Sequence, residues 1–204
     1  MHFCSFTNKP KREGKIMRKI VIISGSPLAP SRTDLVLRYV ESLLQKKGFS
    51  VDYIAVPDLP PEDLVYARFN SPAIRNVIEQ VGSADGIIIG SPVYKASYTG
   101  VLKALLDLLP ENAFRDKPVL PFMVGGSIAH LLAIEFSLKP IIHNLKGVST
   151  HGIYFEDTSI DKESSGNPIK ETDCEFRLQT QLQELLNAIE RTEDSKQLVA
   201  SLVY

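Results

Sequence analysis

The stretch "KIVIISGSPLAPSRTD", residues 19–34, carries the turn on which the fold depends. Ile20–Ile23 form a short apolar run suited to a strand buried on both faces. From Ser31 to Lys47, Val36, Val40, Leu43 and Leu44 recur at i, i+4, i+7 and i+8, one stripe of a helix that Gly48 is placed to end. Between them, the hydroxyls of Ser24, Ser26, Ser31 and Thr33 gather with Arg32 at a helix start. Free N–H groups and the helix dipole favour an anion there. The stretch has neither the G-x-G-x-x-G of a dinucleotide fingerprint nor the terminal G-K-[ST] of a Walker loop. Alone it permits two readings: an anion grip with Arg32 as a charge-assisted donor, or a Ser31 or Thr33 N-cap with a solvated Arg32.

Outward from this turn, strands and helices alternate. "SVDYIAV" (50–56) reads as a second strand, and Pro57, Pro60 and Pro61 prevent its continuation. "SPAIRNVIEQV" (71–81) predicts a helix with Ser71 as N-cap and Pro72 at its first position. "GIIIG" (86–90) is the third strand and "VLKALLDLLP" (101–110) a helix. "PVLPFMVGG" (118–126) is the fourth strand, followed by the helical "SIAHLLAIEFSLKPIIHNL". "VSTHGIYF" (148–155) is the fifth strand, 156 to about 172 a polar loop, and about 173–191 a last helix. This alternation predicts an α/β, flavodoxin-like fold: a five-stranded parallel sheet of order 2-1-3-4-5 with helices on both faces. Its switch point lies between strands 1 and 3, so residues 24–33, 91–99 and 125–130 should converge there. The expected organisation is a disordered basic extension (1–17), one domain (18–191) and a C-terminal tail (192–204).

Bulk properties bound the partners. The 204 residues are 44% hydrophobic and 23% charged with net charge −1, which gives no electrostatic case for nucleic acid or an anionic membrane. Two cysteines are too few for a disulfide framework and lack metal-site spacing, so a reducing, cytoplasmic setting is expected. No apolar run approaches the roughly 18 residues of a membrane span. "MHFCSFTNKPKREGKI" carries four basic residues and one acidic residue without the apolar core of a signal peptide, and Met17 offers an alternative start. No nucleophile elbow, metal cluster or paired carboxylate occupies the three loops.

The loops suit a flat ligand with one anionic end. Pro92, Val93, Tyr94 and Lys95 follow the third strand, where a planar ring could pack on Tyr94 and accept hydrogen bonds from the Val93 and Lys95 N–H groups. Gly125 and Gly126 allow close approach to backbone, and Ser127 either donates to the ligand or caps the next helix. His130 is expected to pack structurally. An anion grip and a planar slot without acid–base groups suggest a cofactor that carries its own chemistry, and FMN has that shape.

"GSPLAPSRT", "PEDLVYARFNSPA", "ADGIIIGSPVYKASYTGVLKALLDLLPENA" and "GGSIAHLLAIEFSLKPII" together resemble the NADPH-dependent FMN reductases of the alkanesulfonate-utilisation type, from about Arg18 to Asp157. The resemblance implies a homodimer or homotetramer that reduces FMN with NADPH, by hydride transfer to flavin N5. Reduced flavin would pass to a flavin-dependent monooxygenase that cleaves organosulfonates. It implies a phosphate loop of Ser26, Ser31, Arg32 and Thr33, ring contacts at Pro92–Lys95, and a third loop of Gly125, Gly126 and Ser127. Phe136 stands where such reductases typically carry a tyrosine, in a helix distorted by an extra residue at a subunit interface. Two further readings share the fold: a quinone or azo-compound reductase with permanently bound FMN, and a one-electron flavodoxin-type carrier. The carrier usually has a T-x-T-G-x-T loop and strong acidity, both absent here.

Overall fold

The computed structural model describes residues 17–202; the proposed extension therefore lies, except for Met17, outside the described residues. Strands β1 (Lys19–Ser24), β2 (Ser50–Ala55), β3 (Gly86–Pro92) and β4 (Pro118–Gly125) pair in parallel in the order β2-β1-β3-β4. The fifth position is divided. β5 (Val148–Ser149) and β6 (Ile153–Glu156) both pair with β4 in parallel, making six strands in the expected 2-1-3-4-5 order. The predicted continuous strand breaks because Gly152 takes φ +91°, a left-handed turn between the two halves.

Alternation along each strand sorts the core onto two faces. Val21, Ile23, Ile87, Ile89, Val119 and Met123 pack with α3 (Pro72–Ser83), α4 (Gly100–Leu106) and α5 (Lys139–Asn144). Ile20, Ile22, Ile88, Leu120, Phe122 and Val124 pack with α1 (Arg32–Lys46) and α6 (Thr172–Leu202). Val36, Val40 and Leu44 of the α1 stripe are buried, while Leu43 is half-buried. A short α2 (Pro61–Val65) begins at the predicted proline break. The last helix runs beyond residue 191 to Leu202, so residues 192–202 of the expected tail are helical.

The segment after β4 differs most from expectation. Instead of one regular helix it makes a 3-10 turn (Ile128–His130), a π turn (Ile134–Leu138) and then α5. Pro140 has no N–H for the Phe136 carbonyl, and the ladder widens just ahead of it, with Lys139 N–H reaching back to the Ile134 carbonyl. This is the distorted helix that the resemblance implied at Phe136. Among the described residues no helix is long and apolar enough to cross a membrane.

Candidate functional site

The carboxyl ends of β1, β3 and β4 are tied together before any ligand is considered. Gly25 N–H donates to the Gly90 carbonyl (2.7 Å) and Val93 N–H to the Val124 carbonyl (2.7 Å). Thr99, buried at the start of α4, donates through Oγ1 to the Gly25 carbonyl (2.6 Å) and accepts from Leu102 N–H (3.2 Å). Its own N–H donates to Ser91 Oγ (3.1 Å). One side chain therefore caps a helix and fixes the first loop against the second.

These loops enclose a cleft of about 230 Å³ lined by Ser26, Ser31, Arg32 and Thr33, by Pro92, Val93 and Tyr94, and by Gly125 and Gly126. Nine of the twelve residues singled out from the sequence thus meet in one place. The other three do not line it. Ser24 is buried at the end of β1 beside the Tyr53 hydroxyl. Lys95 is exposed at a loop tip. Ser127 caps the following turn, its Oγ accepting from Ala129 N–H, while its carbonyl accepts from the Tyr154 hydroxyl.

Ser31 is the N-cap of α1, accepting from Asp34 N–H (3.1 Å), and Ser26 Oγ donates to the Leu28 carbonyl (2.9 Å). The cap reading of the opening stretch is therefore met at Ser31, and Ser26, Ser31 and Thr33 also line the cleft. The Arg32 side chain is the group whose bonding is incomplete. Its Nη1 lies 3.8 Å from Asp157 Oδ2, beyond hydrogen-bond range, and its Nε is buried with no partner. Behind the grip, Tyr53 donates to the Asp34 carboxylate and lies under the Arg38 guanidinium, 3.4 Å from the ring centre. Burial, then the Asp34 bond, raise the Tyr53 phenol above its ordinary value.

The second loop closes as a tight hairpin. Tyr94 N–H donates to the Ser97 carbonyl (2.8 Å), Ser97 N–H donates back (3.1 Å), and Lys95 and Ala96 take φ +52° and +62°. This corrects one expectation, since the Val93 N–H is spent on β4 and is not available to a ring. Tyr94, 48% exposed, stands at the rim. The two glycines also have different reasons. A Cβ at Gly125 would overlap the Tyr154 hydroxyl, so that glycine serves the protein's own packing. At Gly126 the nearest atom would be Asp157 Oδ2 at 3.9 Å, which leaves its side open to a ligand. His130 is half-buried, does not line the cleft and has an unpartnered Nδ1.

Asp157 and Lys162 complete the lining and were missed from the sequence, as were Leu28, Pro30 and Val124. The signal for the two charged residues was positional: the fifth strand also ends on this side of the sheet, so the polar loop after it belonged with the other three.

A family model for NADPH-dependent FMN reductases matches residues 18–159. The chain belongs to that family. As an NADPH-dependent FMN reductase it is an oxidoreductase whose substrates or cofactors are FMN and NADPH. It is 40% identical over 174 residues to the FMN reductase (NADPH) of Escherichia coli K12, covering 85% of this chain and 91% of that protein. To the FMN reductase (NADPH) of Pseudomonas putida KT2440 it is 46% identical over 142 residues, covering 69% and 72%. The apo crystal structure of the NADH:FMN oxidoreductase EmoB superposes with a TM-score of 0.68 at 31% identity, covering 88% of this chain and 90% of that one. The donor set of the cleft fits the reductase's flavin. Its hydroxyls and an arginine with an orphaned donor are chemistry that suits a phosphate, and an open glycine in the same lining as a tyrosine suits a flat ring.

Proposed function

We propose that this reductase binds FMN in the cleft with its terminal phosphate at the start of α1 and delivers reduced flavin to a separate flavin-dependent monooxygenase. The observation that carries the reading is Arg32. A buried, unpartnered donor costs about 1–3 kcal/mol, which a phosphate oxygen relieves. Ser26, Ser31 and Thr33 supply hydroxyls around the same point, and the dipole of α1 favours the dianion. Pro92, Val93 and Tyr94 form one wall for the ring, and Gly126 leaves the other side open. The cleft is smaller than the roughly 300–1,000 Å³ of enclosed ligand sites, so a flavin lies partly over its rim, open to a second flat molecule.

Held by these residues, FMN would supply the redox chemistry, as acceptor of the hydride that NADPH gives up. The chain's own residues position and shield; none among those lining the cleft is asked to move a proton. Release of reduced flavin to an organosulfonate-cleaving monooxygenase, in the cytoplasm, accords with the family resemblance. A homodimer or homotetramer fits Ile128, Leu131, Leu132 and Phe136, large apolar side chains left exposed on and beside the π turn, with Phe136 at 78%.

The test is NADPH oxidation under anaerobic conditions, with and without added FMN. Saturable dependence on FMN supports the reading; NADPH oxidation that ignores added FMN while quinones are reduced points to a permanently bound flavin. Arg32→Ala should raise the FMN dissociation constant tenfold or more, since a charge-assisted hydrogen bond is worth about 1.5–3 kcal/mol. An unchanged constant would put the phosphate elsewhere.

A further inference from the structure

We infer that Asp157 is an internal competitor for Arg32, an anion that the flavin phosphate must displace and that keeps FMN loosely held. The inference rests on the reading that the phosphate lies at the start of α1. Asp157 directly succeeds β6 and is the one acidic residue among those lining the cleft. Its Oδ2 lies between two of the three loops, 3.8 Å from Arg32 Nη1 and 3.9 Å from where a Cβ on Gly126 would sit. The carboxylate thus occupies the side of the cleft toward which the flavin's anionic end must come.

The geometry of the pair separates holding from bonding. Charge-assisted N–H···O bonds run at about 2.7–2.9 Å, so 3.8 Å is an electrostatic tether. Arg32 and Asp157 are both about one-third exposed, which makes the tether weak, and the buried Arg32 Nε gains nothing from it. Asp157 therefore keeps the guanidinium at the cleft mouth without satisfying it. A phosphate arriving at α1 takes the arginine with short bonds and leaves Asp157 beside a dianion. Both consequences, the lost tether and the like-charge contact, reduce affinity for FMN and leave a phosphate-free flavin unaffected. Lys162, on the same loop and lining the same cleft, offsets part of the negative charge. A carboxylate in this position suits a protein that gives its flavin away and would be a liability in one that keeps it.

The perturbation is Asp157→Asn, which preserves shape while removing the charge, with Asp157→Ala as a second variant. The chain contains no tryptophan, so binding is best read from the flavin's own fluorescence, for FMN and for riboflavin side by side. Loss of a one-third-exposed pair is worth up to about fivefold, and removal of the neighbouring like charge adds a smaller factor, so the FMN dissociation constant should fall more than twofold, and up to about tenfold, in both variants. Riboflavin affinity should change less than twofold, and the KM for FMN should fall while kcat does not rise. Unchanged FMN affinity in variants that melt like the parent, or an equal gain for riboflavin, overturns the competition. If the parent itself binds FMN no better than riboflavin, the phosphate reading falls and takes this inference with it. If the parent discriminates and Asp157→Asn does not sharpen that discrimination, only this inference falls.

Discussion

Thr99→Val tests whether the cleft is held open by the protein or merely drawn that way by the backbone. The hydroxyl of this buried residue serves two elements: it caps α4 through Leu102 N–H, and it donates to the Gly25 carbonyl at 2.6 Å. Valine keeps the outline of threonine and removes both bonds. Losing the cap costs about 1 kcal/mol. Leaving the carbonyl of buried Gly25 without this partner costs about 1–3 kcal/mol more. The expected destabilisation is therefore about 2–4 kcal/mol, which for a chain of this size lowers the melting temperature by roughly 5–15 °C. Urea denaturation without flavin measures it directly. FMN affinity should fall as well, because Gly25 immediately precedes Ser26 at the cleft. Thr99→Ser retains the hydroxyl and should recover most of both effects. The reasoning is refuted if Thr99→Val unfolds within about 0.5 kcal/mol of the parent, the range ordinary surface changes span. It is equally refuted if serine is no better than valine, since the cost would then come from the shape of the side chain.

Gly125→Ala should destabilise by about 1–3 kcal/mol as the new methyl displaces the Tyr154 hydroxyl from the Ser127 carbonyl. Combining it with Tyr154→Phe should cost less than the two single changes together; strict additivity in urea melts would show that the clash lies elsewhere. Stability should also fall as pH rises above about 10, because the Tyr53 phenol stays protonated in the fold while the unfolded chain ionises. The contribution is fully present below that pH and is lost above it by up to about 1.4 kcal/mol per pH unit, so Tyr53→Phe should flatten the alkaline limb of a melting-temperature profile. Equal slopes in parent and variant would remove Tyr53 as the cause.

The order of the sheet was readable because buried parallel strands are short β-branched runs, and "IVII" and "IIIG" admit little else. The break at Gly152 was not, since a left-handed glycine inside an apolar run leaves no trace in hydrophobic periodicity. The π turn was legible only through resemblance: apolar spacing alone runs smoothly from Ile128 to Ile142 and does not register one added residue. Within the cleft, nine of the twelve residues singled out converged, while Ser24, Lys95 and Ser127 were drawn to other tasks or to solvent. What escaped were partners defined by distance in sequence. Thr99 looks like an ordinary N-cap until Gly25 is seen 74 residues away, and Gly125 looks like a ligand-facing glycine until Tyr154 is seen behind it. Asp157 was hidden in a loop that polarity alone marked as featureless.

The hairpin tip at Lys95–Ala96 has a consequence for how such a protein can diverge. Its flanks are fixed by main-chain bonds and by Thr99, none of which involves the side chains at positions 95 and 96. Exchange at these two positions therefore alters the exposed loop tip next to Tyr94 while the residues that line the cleft are left as they are. The freedom is narrow, because both positions demand a left-handed backbone that glycine, asparagine and aspartate enter most cheaply. A lineage can thus vary this tip in two small steps, drawn from a short alphabet, without disturbing the cleft beside it.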